Sequence, residues 1–131
     1  MGEILVHKHL IVRAEVRKPV ESIESLKAWA LEMIDAVNMK LAVIPDCTNP
    51  IAWDCKIPGN VGKTLVAVIE TSNIGYHDWE TDYGALVEFD LYSCGEFTPD
   101  QVVQMFERFD PIKLEYKFLD REHSLTLVDE A

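Results

Sequence analysis

The stretch "KTLVAVIETSNIGYHDWETDYGALVEFDLYSCG", Lys63–Gly95, holds the strongest strand signals in the chain. Its first part, Lys63 to Glu70, is an almost unbroken apolar run. Such a run reads as a strand buried on both faces. Its last part alternates: Ala85, Val87, Phe89 and Leu91 take one face, and Leu86, Glu88, Asp90, Tyr92 and Cys94 take the other. That is the pattern of a strand with one core face. Between the two, Ser72, Asn73, Gly75 and His77 crowd the end of the apolar run, and Asp78, Glu80 and Asp82 follow as an acidic run. The intervening residues read as a loop, with the acids solvated. On this reading the two strands are hairpin neighbours, and Cys94 falls at the far end of the second, away from Ser72.

Outward from there, "ILVHKHLIVRAEV" (Ile4–Val16) alternates, with Ile4, Val6, Leu10, Val12, Ala14 and Val16 on one face and Lys8 as the exception. His7 and His9 share the opposite face, as a solvated or interface pair rather than a metal site. "SIESLKAWALEMIDAVN" (Ser22–Asn38) sets Ile23, Leu26, Ala30, Ile34 and Val37 on one helical stripe, with Trp29 and Met33 beside it and Ser22 as N-cap. "KLAVI" (Lys40–Ile44) reads as a second strand. Pro45 to Gly62 is a long connection punctuated by Pro50, Pro58 and Gly59. Loops of that length are commonly functional or mobile. Thr98-Pro99-Asp100-Gln101 opens a second helix through Met105, Phe106 and Phe109: a Thr cap, Pro at the first position, an acid in the first turn, and Gln reaching back. "IKLEYKFL" (Ile112–Leu119) closes the core, and "SLTLV" is a candidate for one further short strand.

The order predicts an α+β fold. It is a single domain over 1–131, a two-layer α/β sandwich with a four-stranded, mainly antiparallel sheet and two helices on one face. Glu88, Asp90, Tyr92 and Cys94 leave the other sheet face half polar, so a partner subunit or a ligand is expected there, and a homodimer is expected with the site near its interface.

The bulk numbers fit one folded domain: 131 residues, 48% hydrophobic and 27% charged. Twelve basic against 23 acidic residues give a net charge of -11. That charge repels phosphate backbones, so no nucleic-acid partner is expected, and it suits cationic ligands. No apolar run reaches the ~20 residues of a spanning helix, so no membrane partner is expected. The opening "MGEILVHKHL" lacks the basic and apolar regions of a secretory signal, which reads as cytoplasmic. The three cysteines, Cys47, Cys55 and Cys94, are irregularly spaced and read as reduced thiols, and no spacing suggests a metal.

Taken singly, Ser72 is a turn serine, His77 a surface histidine, Cys94 a buried thiol and Trp79 a packing residue. Thr64 opens the apolar strand, and it is a family resemblance that makes Ser72, His77 and Cys94 read as catalytic together. "GKTLVAVIETSNIGYHDW" followed by "ALVEFDLYSCG" resembles the small prokaryotic form of the S-adenosylmethionine decarboxylase family. The resemblance covers most of the chain, the first strand and both helices included. Thr64, Ser72, His77, Trp79, Asp90 and Cys94 carry it together.

The family is made as a proenzyme that cuts itself. The resemblance implies cleavage between Thr71 and Ser72, with a pyruvoyl group generated from Ser72 as the cofactor and no metal. The pyruvoyl carbonyl takes the substrate amine as a Schiff base and serves as electron sink when carbon dioxide leaves. The small-molecule substrate implied is S-adenosylmethionine, on the route to spermidine. Ser72 is then pyruvoyl precursor, His77 the processing base, Thr64 the oxyanion donor in processing, and Cys94 the general acid in turnover, so the four are expected to converge in one pocket although a simple hairpin leaves Cys94 apart. Trp53, Asn73, Trp79 and Glu80 are candidates for substrate contact. The chain departs from the family pattern at Thr71, where Glu is usual, and at Asn73, where His is usual. Its spacing from Ser72 to Cys94 is also slightly longer. Two other readings stay open: the same chemistry on ornithine or arginine, and an uncleaved binding or regulatory paralogue on the same fold.

Overall fold

The computed structural model describes residues 6–131. Ile4 and Leu5, the expected start of the first strand, lie outside the described residues. The strands are β1 (Lys8–Val16), β2 (Ile51–Cys55), β3 (Gly62–Ile69), β4 (Ser72–Thr81), β5 (Gly84–Ser93), β6 (Pro111–Asp120) and β7 (Thr126–Glu130). The helices are α1 (Ile23–Ala36) and the short α2 (Pro99–Val103), which runs on as a 3-10 turn over Gln104–Phe109. The sheet has seven strands in the order β2-β3-β4-β5-β1-β6-β7, and every pairing is antiparallel. The expected four-stranded sheet is thus too small, although its antiparallel character and the two helices stand.

Three local differences change the set of strands, beside the further short strand β7 that pairs with β6. The residues after the apolar run form β4, not a loop. They pair with β3 on one side and β5 on the other. β2 lies inside the expected long connection and pairs with β3. Lys40–Ile44 forms no strand; only Leu41 makes an isolated bridge, to Ile69. Ala42 N–H still reaches the Val68 carbonyl at 3.0 Å, but the ladder stops there because the Asn49 side chain inserts, accepting from the Val68 N–H at 2.9 Å and donating to the Ala42 carbonyl at 2.8 Å.

The core lies between one sheet face and the helices. Ser22 caps α1 by accepting from the Ser25 N–H at 3.0 Å, and Leu26, Trp29, Ala30, Met33 and Ile34 are its buried stripe. Trp29 is the hub: its ring centroid lies 5.7 Å from those of Tyr76 and Phe89, 5.4 Å from Phe106 and 5.1 Å from Phe109. Its indole N–H donates to the Met105 carbonyl at 2.8 Å, as a buried Trp nitrogen requires. From β5, Ala85, Val87, Phe89 and Leu91 enter this core as their alternation predicts. β3 differs from its expected burial on both faces: Leu65, Ala67 and Ile69 are buried, whereas Val66 and Val68 are 43% and 41% exposed on the open face. The acidic run is not all solvated either. Asp78 is buried, accepting from the Tyr76 hydroxyl at 2.6 Å and the Lys63 N–H at 2.8 Å. Burial, with the Asp78 carboxylate beside it, pushes the Tyr76 hydroxyl pKa far up, so that group stays protonated.

Among the described residues no helix is long and apolar enough to cross a membrane.

Candidate active site

A two-residue turn, Glu70–Thr71, reverses the chain from β3 into β4, with Ile69 opposite Ser72. β5 runs back alongside β4, so that its last residue, Ser93, lies opposite Ser72. Cys94 therefore arrives at the turn. Its N–H and its thiol both reach the Thr71 carbonyl oxygen, each at 3.1 Å. This oxygen belongs to the peptide that joins Thr71 to Ser72. The expectation that Cys94 lies at the far end from Ser72 fails for one reason: β4 adds a second reversal.

Thr64 and His77 are brought together, but elsewhere. They are cross-strand partners on β3 and β4, with Thr64 Oγ1 3.1 Å from His77 Nδ1. The His77 ring also stacks on Trp79 at 6.0 Å between centroids. Five residues of extended strand separate His77 from Ser72, about 16 Å at ~3.3 Å per residue. The four residues expected in one pocket thus form two groups. One is Thr71, Ser72, Ser93 and Cys94 at the turn. The other is Thr64, His77 and Trp79 on the open face, whereas Ser72 and its ladder partner Ser93 have the helix-side parity of Ile74 and Leu91. Gly75 sits in the middle of β4, paired with Val66 and Asp90. Its lack of a side chain makes room for Asp90, whose Oδ1 would stand 2.5 Å from a Cβ there.

The remaining candidates scatter. Trp53 pairs across β2–β3 with Thr64 and is 69% exposed. Asn73 is exposed next to Ser72 and pairs with Tyr92. Glu80 has the strand parity of Ile74 and Tyr76, which puts it on the helix side of the sheet at the far end of β4. It is not part of either group.

The open face carries a polar network that the sequence pattern left unassigned apart from His9. Arg121 donates to His9 Nδ1 at 3.2 Å, which leaves the proton on Nε2 to donate to Asp90 Oδ2 at 2.9 Å. His9 is therefore held as the neutral Nε2–H tautomer. The Arg121 guanidinium also lies over the Tyr92 ring, 4.2 Å from its centroid. Beside this network a cavity of about 270 Å3 opens between His9, His77, Glu88 and Asp90. A larger hollow of about 360 Å3, by Lys8, Glu96 and Phe97, contains none of Thr64, Ser72, His77 or Cys94. At the sheet end, Glu122 accepts from the His7 N–H at 3.0 Å and from Lys8 at 2.9 Å, which lowers its pKa to about 2. Among the described residues no three His, Cys, Asp or Glu side chains are grouped to hold a metal ion.

At the turn a serine follows a peptide carbonyl that meets two donors from Cys94, on a helix-backed antiparallel sheet. A crystal structure of the adenosylmethionine decarboxylase from Aquifex aeolicus VF5 has a similar fold: TM-score 0.68, 15% identity, over 89% of this chain and 91% of that one. No curated protein sequence matches the chain. The family model for S-adenosylmethionine decarboxylase matches residues 8–122, and the chain belongs to that family. By family it is a pyruvoyl-dependent carboxy-lyase acting on S-adenosylmethionine, with the polyamine role that follows.

Proposed function

We propose that the chain activates itself by cutting between Thr71 and Ser72, and that two copies form the working enzyme. The observation that carries the reading is the pair of Cys94 donors on the Thr71 carbonyl oxygen. When Ser72 Oγ adds to the Thr71 carbonyl carbon, charge develops on this oxygen. Donors already placed there stabilise that charge at no cost of reorganisation. The new C–O bond forms as the C–N bond to Ser72 breaks, and the hydroxyl proton ends on the Ser72 nitrogen, giving an ester. Removal of the Ser72 α-proton then expels Thr71 as a carboxylate. Water completes the conversion of Ser72, with loss of ammonia. Residues 1–71 and 72–131 become the two chains. The oxyanion donor in this account is Cys94 and not Thr64.

The residues fit a pyruvoyl group at position 72, since Ser72 begins a strand with Cys94 beside the bond to be cut. That group supplies an electron sink for the loss of carbon dioxide. Cys94, exposed on the open face, returns a proton to the substrate carbon.

Thr64 and His77 serve Ser72 of the second copy. They are too far from their own Ser72, yet they share the open face with Cys94, and that face bears exposed Trp53, Ile51, Val66 and Val68 in need of cover. With His77 Nδ1–H donating to Thr64 Oγ1, Nε2 is left as the base for the α-proton. Asn73, Trp53 and Trp79 border the same face as substrate contacts. The test is the intact mass of purified protein. Two fragments, the second starting at residue 72 with a blocked N-terminus, support the reading. A single 14.9 kDa chain that borohydride and S-adenosylmethionine fail to modify refutes it.

A further inference from the structure

Ser93 is one of two buried polar or charged residues among those described, at 0% exposure, and the mechanism above does not use it. Its surroundings fix the direction of its single proton. The Gly95 N–H donates to Ser93 Oγ at 2.9 Å, and Ser93 Oγ in turn donates to Thr71 Oγ1 at 2.9 Å. Thr71 is thus gripped twice, by its side chain through Ser93 and by its carbonyl through Cys94.

We infer that Ser93 is a positioning residue for the self-cleavage, its hydroxyl locking the Thr71 side chain so that the Thr71 carbonyl stays on the Cys94 donors. The inference rests on the self-cleavage reading. Ser93 does not touch the attacked carbon. It acts through Thr71, whose side chain, carbonyl and scissile peptide move as one unit in a turn of only two residues. With the Ser93 hydroxyl removed, Thr71 Oγ1 loses its donor and the turn is free to rock. The carbonyl then spends less time where both Cys94 donors meet it. A hydrogen bond of this kind amounts to about a tenfold change in rate.

The first step is read by itself in a His77→Ala background, where α-proton removal is blocked and the chain rests as amide and ester. Hydroxylamine cleaves only the ester, so the rate of appearance of the cut band reports the acyl shift. Ser93→Ala is expected to slow that appearance about tenfold, and Ser93→Thr to restore it. Thr71→Val, which removes the acceptor, is expected to match Ser93→Ala, and Thr71→Ser to match the parent. A purely structural staple would lower the melting temperature and leave ester formation in the folded fraction unchanged, and that result overturns the inference. So does Ser93→Thr proving as slow as Ser93→Ala. Where Ser93→Ala does not fold, Thr71→Val decides: ester formation at the parent rate overturns the inference. A wild-type chain that never splits overturns self-cleavage along with it. A wild type that splits, with Ser93→Ala and Thr71→Val equally fast, overturns this inference alone.

Discussion

Whether His77 acts within its own chain or across a dimer can be decided by mixing two inactive variants. Ser72→Ala has no nucleophile and stays whole. His77→Ala keeps its nucleophile but lacks the base, so it stalls as an ester. The two groups are five residues apart on one extended strand, about 16 Å, whereas direct proton transfer needs ~3 Å. No rotamer of a histidine closes that gap. Co-expressed with different tags, the two variants pair at random, and about half of the His77→Ala chains find a Ser72→Ala partner, as expected for a twofold dimer. Those chains receive an intact His77 from the partner. They should split without hydroxylamine, while every Ser72→Ala chain stays whole. Intact mass of each tagged chain gives the two fractions. If the His77→Ala chains remain uncut in proven heterodimers, the base works within its own chain and the two-copy site is wrong.

Other outcomes follow from single contacts. Cys94→Ala keeps the backbone donor on Thr71 but loses the thiol, so splitting should slow about tenfold, while turnover of S-adenosylmethionine falls by ~10²–10⁴, as for loss of a general acid; a gel time course and carbon dioxide release measure the two. Trp29→Ala empties the hub of the core and should cost about 3–5 kcal/mol in a urea titration. Glu122 has its pKa lowered by the fold from 4.5 to about 2, so its contribution is complete above 4.5 and is lost as pH falls toward 2. Glu122→Gln should therefore melt lower than wild type at pH 7, the difference closing across that acid range; a difference constant with pH contradicts the assignment. Gly75→Ala should displace Asp90 and break its bond to His9, and its cost should shrink in an Asp90→Ala background, as a double-mutant cycle of melting curves would show.

The sequence pattern made the core legible where one period dominated. α1 and its Ser22 cap stand where the 3.6-residue stripe predicts, and the core face of β5 is the one its alternation predicts. The unread elements had conflicting signals. β2 is a short edge strand between Pro50 and Pro58, with Ile51 and Trp53 exposed, so little burial marks it. Lys40–Ile44 has strand composition, but the Asn49 side chain inserts between the Ala42 carbonyl and the Val68 N–H, the pair that would continue a ladder there. β4 carries Gly75, His77 and Asp78, all poor strand signals by type. Each is placed by tertiary contact instead: Gly75 by the Asp90 carboxylate, His77 by Thr64, and Asp78 by Tyr76 and the Lys63 N–H.

The turn at Glu70–Thr71 has the largest consequence for the site. Two-residue hairpin turns favour Gly, Asn or Asp, and neither Glu nor Thr announces one. Without that turn the chain makes a single reversal between the apolar run and the alternating strand, and Cys94 ends remote from Ser72. With it the chain reverses twice, and strand parity does the rest. Ser72 and Ser93 become ladder partners. Cys94, one residue on, points to the open face with Tyr92 and Asp90. The same parity sets His77 on that face too, but five residues along. One unrecognised turn therefore decides the geometry: it brings Cys94 to the peptide between Thr71 and Ser72, and it leaves His77 five residues along the strand from Ser72. Under the proposed self-cleavage, a nucleophile and a base held five residues apart on one extended strand meet only when a second copy brings its own His77 to Ser72.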